Sequence, residues 1–99
     1  MLTTPLKMVV IVAEPVLEHR LVTELRALGA KGFTLVEGRG EGTKQAHATE
    51  EGANVRIETI VPATVADRIM EHVSTTYFEN YSVIAYVQDV AVARGAKYA

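Results

Sequence analysis

The stretch GAKGFTLVEGRGEGTKQAHATEEGAN, residues 29–54, contains six of the seven glycines in a chain of 99 residues. It joins two apolar segments, and a connection of this length in a small domain usually carries a function. Its middle contains alternating glycines followed by a hydroxyl and an ammonium side chain: Gly38, Gly40, Gly42, Thr43 and Lys44. Glycines let several backbone N–H groups converge on one point. The pattern therefore predicts a loop that binds an anion.

Strands and helices are predicted to alternate on both sides of this loop. Apolar runs or alternation predict four strands, at Leu6–Ala13, Phe33–Glu37, Val55–Val61 and Tyr81–Val90. One helix is expected to begin at Glu14-Pro15 and to end before Gly29, and a second follows Pro62. The tail at 91–99 has no apolar periodicity, so we expect it to be mobile unless something binds it.

The order βαββαβ predicts an α+β protein of one domain, residues 1–99, with a ferredoxin-like fold. Right-handed crossovers place both helices on the same side of a four-stranded antiparallel sheet. The strands are nevertheless apolar on both sides, as Val9 against Val10 and Ala85 against Tyr86 illustrate. The row that the helices leave bare is expected to meet another subunit. We therefore predict an obligate homo-oligomer that assembles through its sheets.

Composition excludes several classes of function. The net charge of -2 argues against a broad nucleic-acid surface, which needs a clustered basic field. The chain has no cysteine, which excludes disulfides and thiolate zinc sites. The amino-terminal sequence lacks the features of a signal peptide, and the longest apolar run is far too short to cross a bilayer. We therefore expect a soluble cytoplasmic protein.

Four segments together resemble the PII signal-transduction superfamily: GAKGFT, GRGEGTK, VRIE and YFENYSVIAYV. The likeness is greatest to its PII-like branch, which is associated with carboxysomes and bicarbonate transport. The resemblance implies a homotrimer that binds adenine nucleotides in clefts between subunits. It also implies a signalling protein, not an enzyme, with no catalytic residues and no metal. The loop at 38–54 would be the T-loop, which contacts a membrane partner, here a bicarbonate transporter.

The resemblance also implies roles for particular residues. Gly32, Phe33 and Thr34 match the segment that meets the adenine and ribose. The phosphate-binding start of the T-loop is matched by Gly40, Gly42, Thr43 and Lys44. Arg94 would close the cleft from the same or a neighbouring subunit.

The sequence departs from ordinary PII proteins at four places, one of which is that the tyrosine modified in their T-loop has no counterpart between Arg39 and Asn54. A short turn at 77–81 replaces a loop rich in glycine and lysine, Asn54 stands where those proteins have a lysine, and Lys44 stands where they have a glutamine. Fewer phosphate-binding groups favour ligands with fewer phosphates. We therefore expect ADP or AMP in preference to ATP, with cyclic AMP and bicarbonate as further candidates. Arg39 and Lys44 are candidate donors to bicarbonate, although the sequence places no such site.

Three other interpretations stay open at this stage. The loop could be a flexible hairpin connection without a ligand. The chain could be a CutA-like trimer that binds metal or acts as a scaffold, although His19, His47 and His72 do not have the spacing of a metal site. It could also be a small enzyme on the same fold. The acidic pair Glu50-Glu51 lacks the burial that separates the pKa values of an acid and a base.

Overall fold

The computed structural model describes residues 2–41 and 52–99. Within them, four strands form one antiparallel sheet in the order β2-β3-β1-β4. The strands are β1 (Thr4–Ala13), β2 (Thr34–Arg39), β3 (Ala53–Val61) and β4 (Val83–Val92), and the helices are α1 (Glu18–Leu28) and α2 (Ala63–Tyr77). Short 3-10 turns occur at Pro15–Leu17 and Gly95–Lys97. The predicted α+β, ferredoxin-like arrangement is confirmed.

The first helix begins later than predicted. Pro15 opens a 3-10 turn in which the N–H of Leu17 donates to the carbonyl oxygen of Glu14 at 3.0 Å. The α-helix itself starts at Glu18. It ends at Gly29, whose φ of 116° is readily accessible only to glycine. The sequence thus located the element correctly but did not resolve its first turn.

The core lies between the helices and one face of the sheet. The apolar stripes predicted for the helices are buried there, with Leu21 and Leu25 from α1 and Ile69 and Val73 from α2. They join the strand residues that point to the same side, among them Val9, Ile11, Val55 and Ile57. Because both helices lie over this face, the sequence-based assignment of one apolar row to the helices holds.

The opposite face of the sheet has no helix over it within the described residues. Val10 in its centre is nevertheless 0% exposed, and its neighbours across the two ladders are Tyr86 and Glu58. The apolar exposure lies on the two edge strands instead, where Ile84 is 61% exposed and Val36 is 47% exposed. The surface available for association is therefore concentrated on β2 and β4.

The carboxy-terminal segment is more ordered than the sequence suggested. β4 continues to Val92, which pairs with Thr4 at the start of β1. Gly95 is then buried so closely against Thr4 that a Cβ atom added to it would lie 2.2 Å from the Thr4 Cβ. This long-range contact fixes the tail, and apolar periodicity could not reveal it.

Candidate functional site

The base of the glycine-rich loop is a continuation of the β2–β3 ladder. Gly38 pairs with Asn54 and Arg39 with Ala53, so the outermost residues of the predicted loop belong to strands. Beyond them, the N–H of Gly40 donates to the carbonyl oxygen of Gly52 at 2.8 Å. Gly52 has a φ of 76°, which suits glycine. The loop is therefore shorter than the predicted 38–54 and starts from a hydrogen-bonded fork.

The side chain of Asn54 occupies the space next to Gly38 and Gly40, which accounts for glycine at both positions. A Cβ atom on Gly38 would lie 2.7 Å from Oδ1 of Asn54, and one on Gly40 would lie 3.3 Å from its Nδ2. Directly paired residues and their diagonal neighbours share one face of a ladder. The carboxamide of Asn54 therefore covers the space that two missing side chains leave free. We refer to Gly38, Gly40, Gly52 and Asn54 as the loop fork.

Two depressions flank the loop fork, one on each side of the ladder. The depression on the helix side has a volume of about 400 Å³, and the other has a volume of about 170 Å³. Their ionisable lining residues are mostly acidic: Glu14, Glu18, Glu37, Arg39 and Glu41. Among these described lining residues, only Arg39 is a cation. A phosphate group here would therefore need cations from beyond the described lining.

Glu14 has a structural role beside the loop fork. It is buried, and its Oε2 accepts the backbone N–H of Ser82 at 2.9 Å. This contact joins the end of β1 to the residue that precedes β4. No sequence signal indicated it, because the two residues are far apart along the chain.

A third depression, of about 400 Å³, lies at the opposite end of β2. Gly32, Phe33 and Thr34, which were predicted to meet the adenine and ribose, line it together. The other lining residues include Lys31, Glu58, Lys97 and Tyr98. The hydroxyl of Thr59 donates to the carbonyl oxygen of Gly32 at 2.6 Å and thereby holds this segment against β3. We refer to this depression as the Gly32 pocket.

The tail contributes to the Gly32 pocket. The side chain of Lys31 donates to the carbonyl oxygen of Ala99, and the Lys97 ammonium lies 5.8 Å from the centre of the Tyr98 ring. Arg94, the predicted tail residue, is exposed and adopts a left-handed conformation with a φ of 61° just before the turn. Lys31, Lys97 and Tyr98, which also line the pocket, were not among the residues predicted for the nucleotide site. The sequence did offer a signal for them: Lys31 directly precedes Gly32, and Lys97 and Tyr98 follow Arg94 closely. Cationic and aromatic side chains at these positions are of the types that contact a nucleotide.

The predicted site residues do not form one group within a single chain. Six residues of β2 separate Gly32 and Phe33 from Gly40, and at about 3.3 Å per residue this corresponds to about 20 Å. The Gly32 pocket and the loop fork therefore lie at opposite ends of the strand. Gly42, Thr43 and Lys44, predicted to bind phosphate, lie outside the described residues, as does His47.

A polar cluster joins α1 and α2. The hydroxyl of Tyr77 donates to Oε1 of Glu24 at 2.5 Å, and Nε2 of His72 lies 3.0 Å from the same oxygen. Burial and the hydrogen bond to Glu24 raise the pKa of Tyr77 to about 12. The phenol therefore remains a donor at neutral pH. This cluster faces neither the loop fork nor the Gly32 pocket, and we assign it to stability.

Two negative findings in the described part of the chain bear on function. Across residues 2–41 and 52–99, no three histidine, aspartate or glutamate side chains converge as a metal-binding group. Neither described helix is long and apolar enough to cross a membrane.

The fold and the loop fork define a small α+β protein that carries a glycine-rich loop between the second and third strands of a ferredoxin-like sheet. A family model described as nitrogen regulatory protein P-II matches residues 6–97. The chain therefore belongs to the P-II family, and the resemblance stated from its sequence is confirmed.

Solved structures of similar proteins agree with this assignment. A PII-like signaling protein from Thermus thermophilus is 51% identical, with a TM-score of 0.88 and 100% coverage of both chains. CPII from Thiomonas intermedia, bound to ADP, AMP and acetate, is 26% identical, with a TM-score of 0.83 and coverage of 99% and 98%. CPII bound to ADP and bicarbonate gives 26% identity and a TM-score of 0.83, with coverage of 98% and 97%.

Proposed function

We propose that this protein is a homotrimeric PII-like regulator that binds ADP or AMP in clefts between its protomers. The observation that carries the proposal is the Gly32 pocket, in which the segment predicted for the adenine and ribose, Gly32 to Thr34, lies beside Lys97 and Tyr98 of the tail. Its lining offers what a nucleoside requires, namely aromatic surface at Phe33 and Tyr98 and a hydroxyl at Thr34. Lys31 and Lys97 add two cations that favour an anionic ligand.

The proposed cleft is composite, because the two halves of the predicted site lie about 20 Å apart along β2. One mononucleotide does not bridge that distance within a protomer. It can meet both halves if one protomer supplies the Gly32 pocket and its neighbour supplies the loop fork with Thr43 and Lys44. The acidic lining around the loop fork supports the same arrangement, since the phosphates then draw on Lys44 and on cations of the neighbouring tail.

The helix-free face of the sheet supplies the proposed trimer contact. Ile84 and Val36 on its edges expose about half of their surface, and burying that remainder would favour association by about 0.7–1.8 kcal/mol each. The ion pair between Nε of Arg56 and Oε2 of Glu58, at 2.8 Å, lies on the same face. Such a mixed surface suits a specific contact between copies of the chain.

Ligand choice and biological role extend the proposal further. One CPII structure contains ADP and AMP, and another contains ADP and bicarbonate, which supports these ligands for the present chain. Cyclic AMP, which the resemblance also allows, is not among the ligands of these CPII structures.

We propose that nucleotide binding changes the arrangement of the T-loop and thereby regulates inorganic-carbon uptake. The proposed partner is a membrane bicarbonate transporter, met from the cytoplasmic side.

Isothermal titration calorimetry tests the nucleotide site. ADP and AMP should bind with dissociation constants in the micromolar range, and 1 μM corresponds to about 8 kcal/mol. Replacing Thr34 by Val or Lys44 by Ala should weaken ADP binding, whereas AMP should respond less to the Lys44 change. Arg68→Ala, on the exposed side of α2, is the matched control for a lost cation. Absence of binding heat with both nucleotides up to millimolar concentration would refute the proposed function.

A further inference from the structure

The N–H of Gly40 is a hydrogen-bond donor within the loop fork. The glycine pattern predicted that this group would face an anion, yet in the structure it donates to the carbonyl oxygen of Gly52 at 2.8 Å. A backbone amide has one hydrogen to donate. A phosphate oxygen and the Gly52 carbonyl therefore compete for the same donor.

Asn54 is the side chain placed to decide this competition. Its carboxamide covers Gly38 and Gly40 on one face of the ladder, at distances that leave no room for a Cβ atom on Gly38. Asn54 also lines both depressions beside the loop fork. A cross-strand contact of this kind stabilises the paired arrangement of the strands that it joins.

We infer that Asn54 is a positioning residue that holds the loop fork closed, so that a phosphate group binds at Gly40 only after the Gly40–Gly52 hydrogen bond opens. This inference rests on the proposed function for its ligand, but the closed fork itself is independent of it. If opening precedes binding, the apparent dissociation constant for ADP equals the intrinsic constant divided by the fraction of open fork. Any change that opens the fork should then tighten ADP binding by the same factor.

Amide hydrogen exchange at Gly40, followed by NMR on the protein without ligand, measures the opening directly. Asn54→Ala should accelerate this exchange about two- to fivefold, the range expected for one lost cross-strand contact. Gly38→Ala should act in the same direction, because its methyl group would meet Oδ1 of Asn54 and force the carboxamide out. Combining both changes should add little to Asn54→Ala alone. Asn80→Ala, in an exposed turn, is the matched control.

Calorimetry separates this positioning role from a general loss of structure. In Asn54→Ala, ADP should bind about two- to fivefold more tightly, matching the change in exchange, while adenosine, which has no phosphate, should bind as in the wild type. Unchanged exchange at Gly40, or weaker ADP binding in Asn54→Ala, would overturn the inference. If the wild type binds no adenine nucleotide, the proposed function fails, and the exchange experiment alone decides whether Asn54 closes the fork.

Discussion

Replacing Thr59 by Val tests how the Gly32 pocket is built. Thr59 is buried, and its hydroxyl donates to the carbonyl oxygen of Gly32 at 2.6 Å. Valine has nearly the same shape but no donor, so the change removes one hydrogen bond and leaves a partly buried carbonyl without this partner. Leaving a buried acceptor unpaired costs about 1–3 kcal/mol. For a chain of this length, each 1 kcal/mol lowers the melting temperature by about 4–8 °C.

Thermal unfolding followed by circular dichroism measures this effect. The protein concentration is held fixed, because the proposed assembly would make the melting temperature depend on concentration. Thr75→Val is the matched control. Thr75 is exposed, its hydroxyl donates to the carbonyl oxygen of Glu71 in its own helix at 2.9 Å, and water can replace that bond. We expect the control to stay within about 0.5 kcal/mol of the wild type. A Thr59→Val protein as stable as the control would refute the account of the pocket.

Three further changes probe the rest of the structure. Tyr77→Phe removes the donor to Glu24 and should cost about 1.5–3 kcal/mol at neutral pH. Because the folded pKa of Tyr77, about 12, lies above the usual value of about 10, this contribution should be complete below pH 10 and lost as the pH rises to 12. Gly95→Ala should cost about 1–3 kcal/mol by overpacking against Thr4, and Thr4→Gly should restore part of it. If the protein is the proposed trimer, Ile84→Lys should shift it towards monomer in sedimentation equilibrium, because the change buries an unpaired charge in the proposed contact.

The outcomes that would contradict these predictions are distinct. If the stability of the wild type and of Tyr77→Phe changes in parallel between pH 10 and 12, the hydrogen bond from Tyr77 to Glu24 does not stabilise the packing of the two helices. Full stability of Gly95→Ala would show that the tail does not pack against β1. Val16→Lys, at a position with the same 61% exposure as Ile84 but outside the sheet, is the control for assembly. If both lysine variants behave alike, the helix-free face is not the contact.

The sequence predicted the order of elements because each element carries a local signal. The continuous apolar run of β1, the four-residue spacing from Val65 to Tyr77 and the glycine at position 29 depend only on neighbouring residues. The same signals indicated which face of the sheet the helices cover. Boundaries were less accurate: β4 begins and ends two residues later than predicted, since its limits depend on pairing with Thr4 and on Glu14.

The distance between the predicted site residues within one chain could not be read from the sequence. Gly32 and Gly40 are eight positions apart, and both were predicted to contact one nucleotide in a cleft between subunits. The extended conformation of β2 places them at opposite ends of a strand, which sequence proximity cannot show. The position of Asn54 over the glycines of the loop fork could not be predicted either, because it depends on the register that sets this side chain opposite Gly38. The tail residues Lys97 and Tyr98 join the Gly32 pocket through a long-range contact at Gly95.

A crystal structure of the protein with ADP tests the central claim most directly. The account predicts three protomers with one ADP in each cleft, the adenine in the Gly32 pocket of one protomer and the phosphates at the loop fork of its neighbour. ADP bound wholly within one protomer, or a lone protomer whose helix-free face is open to solvent, would contradict it.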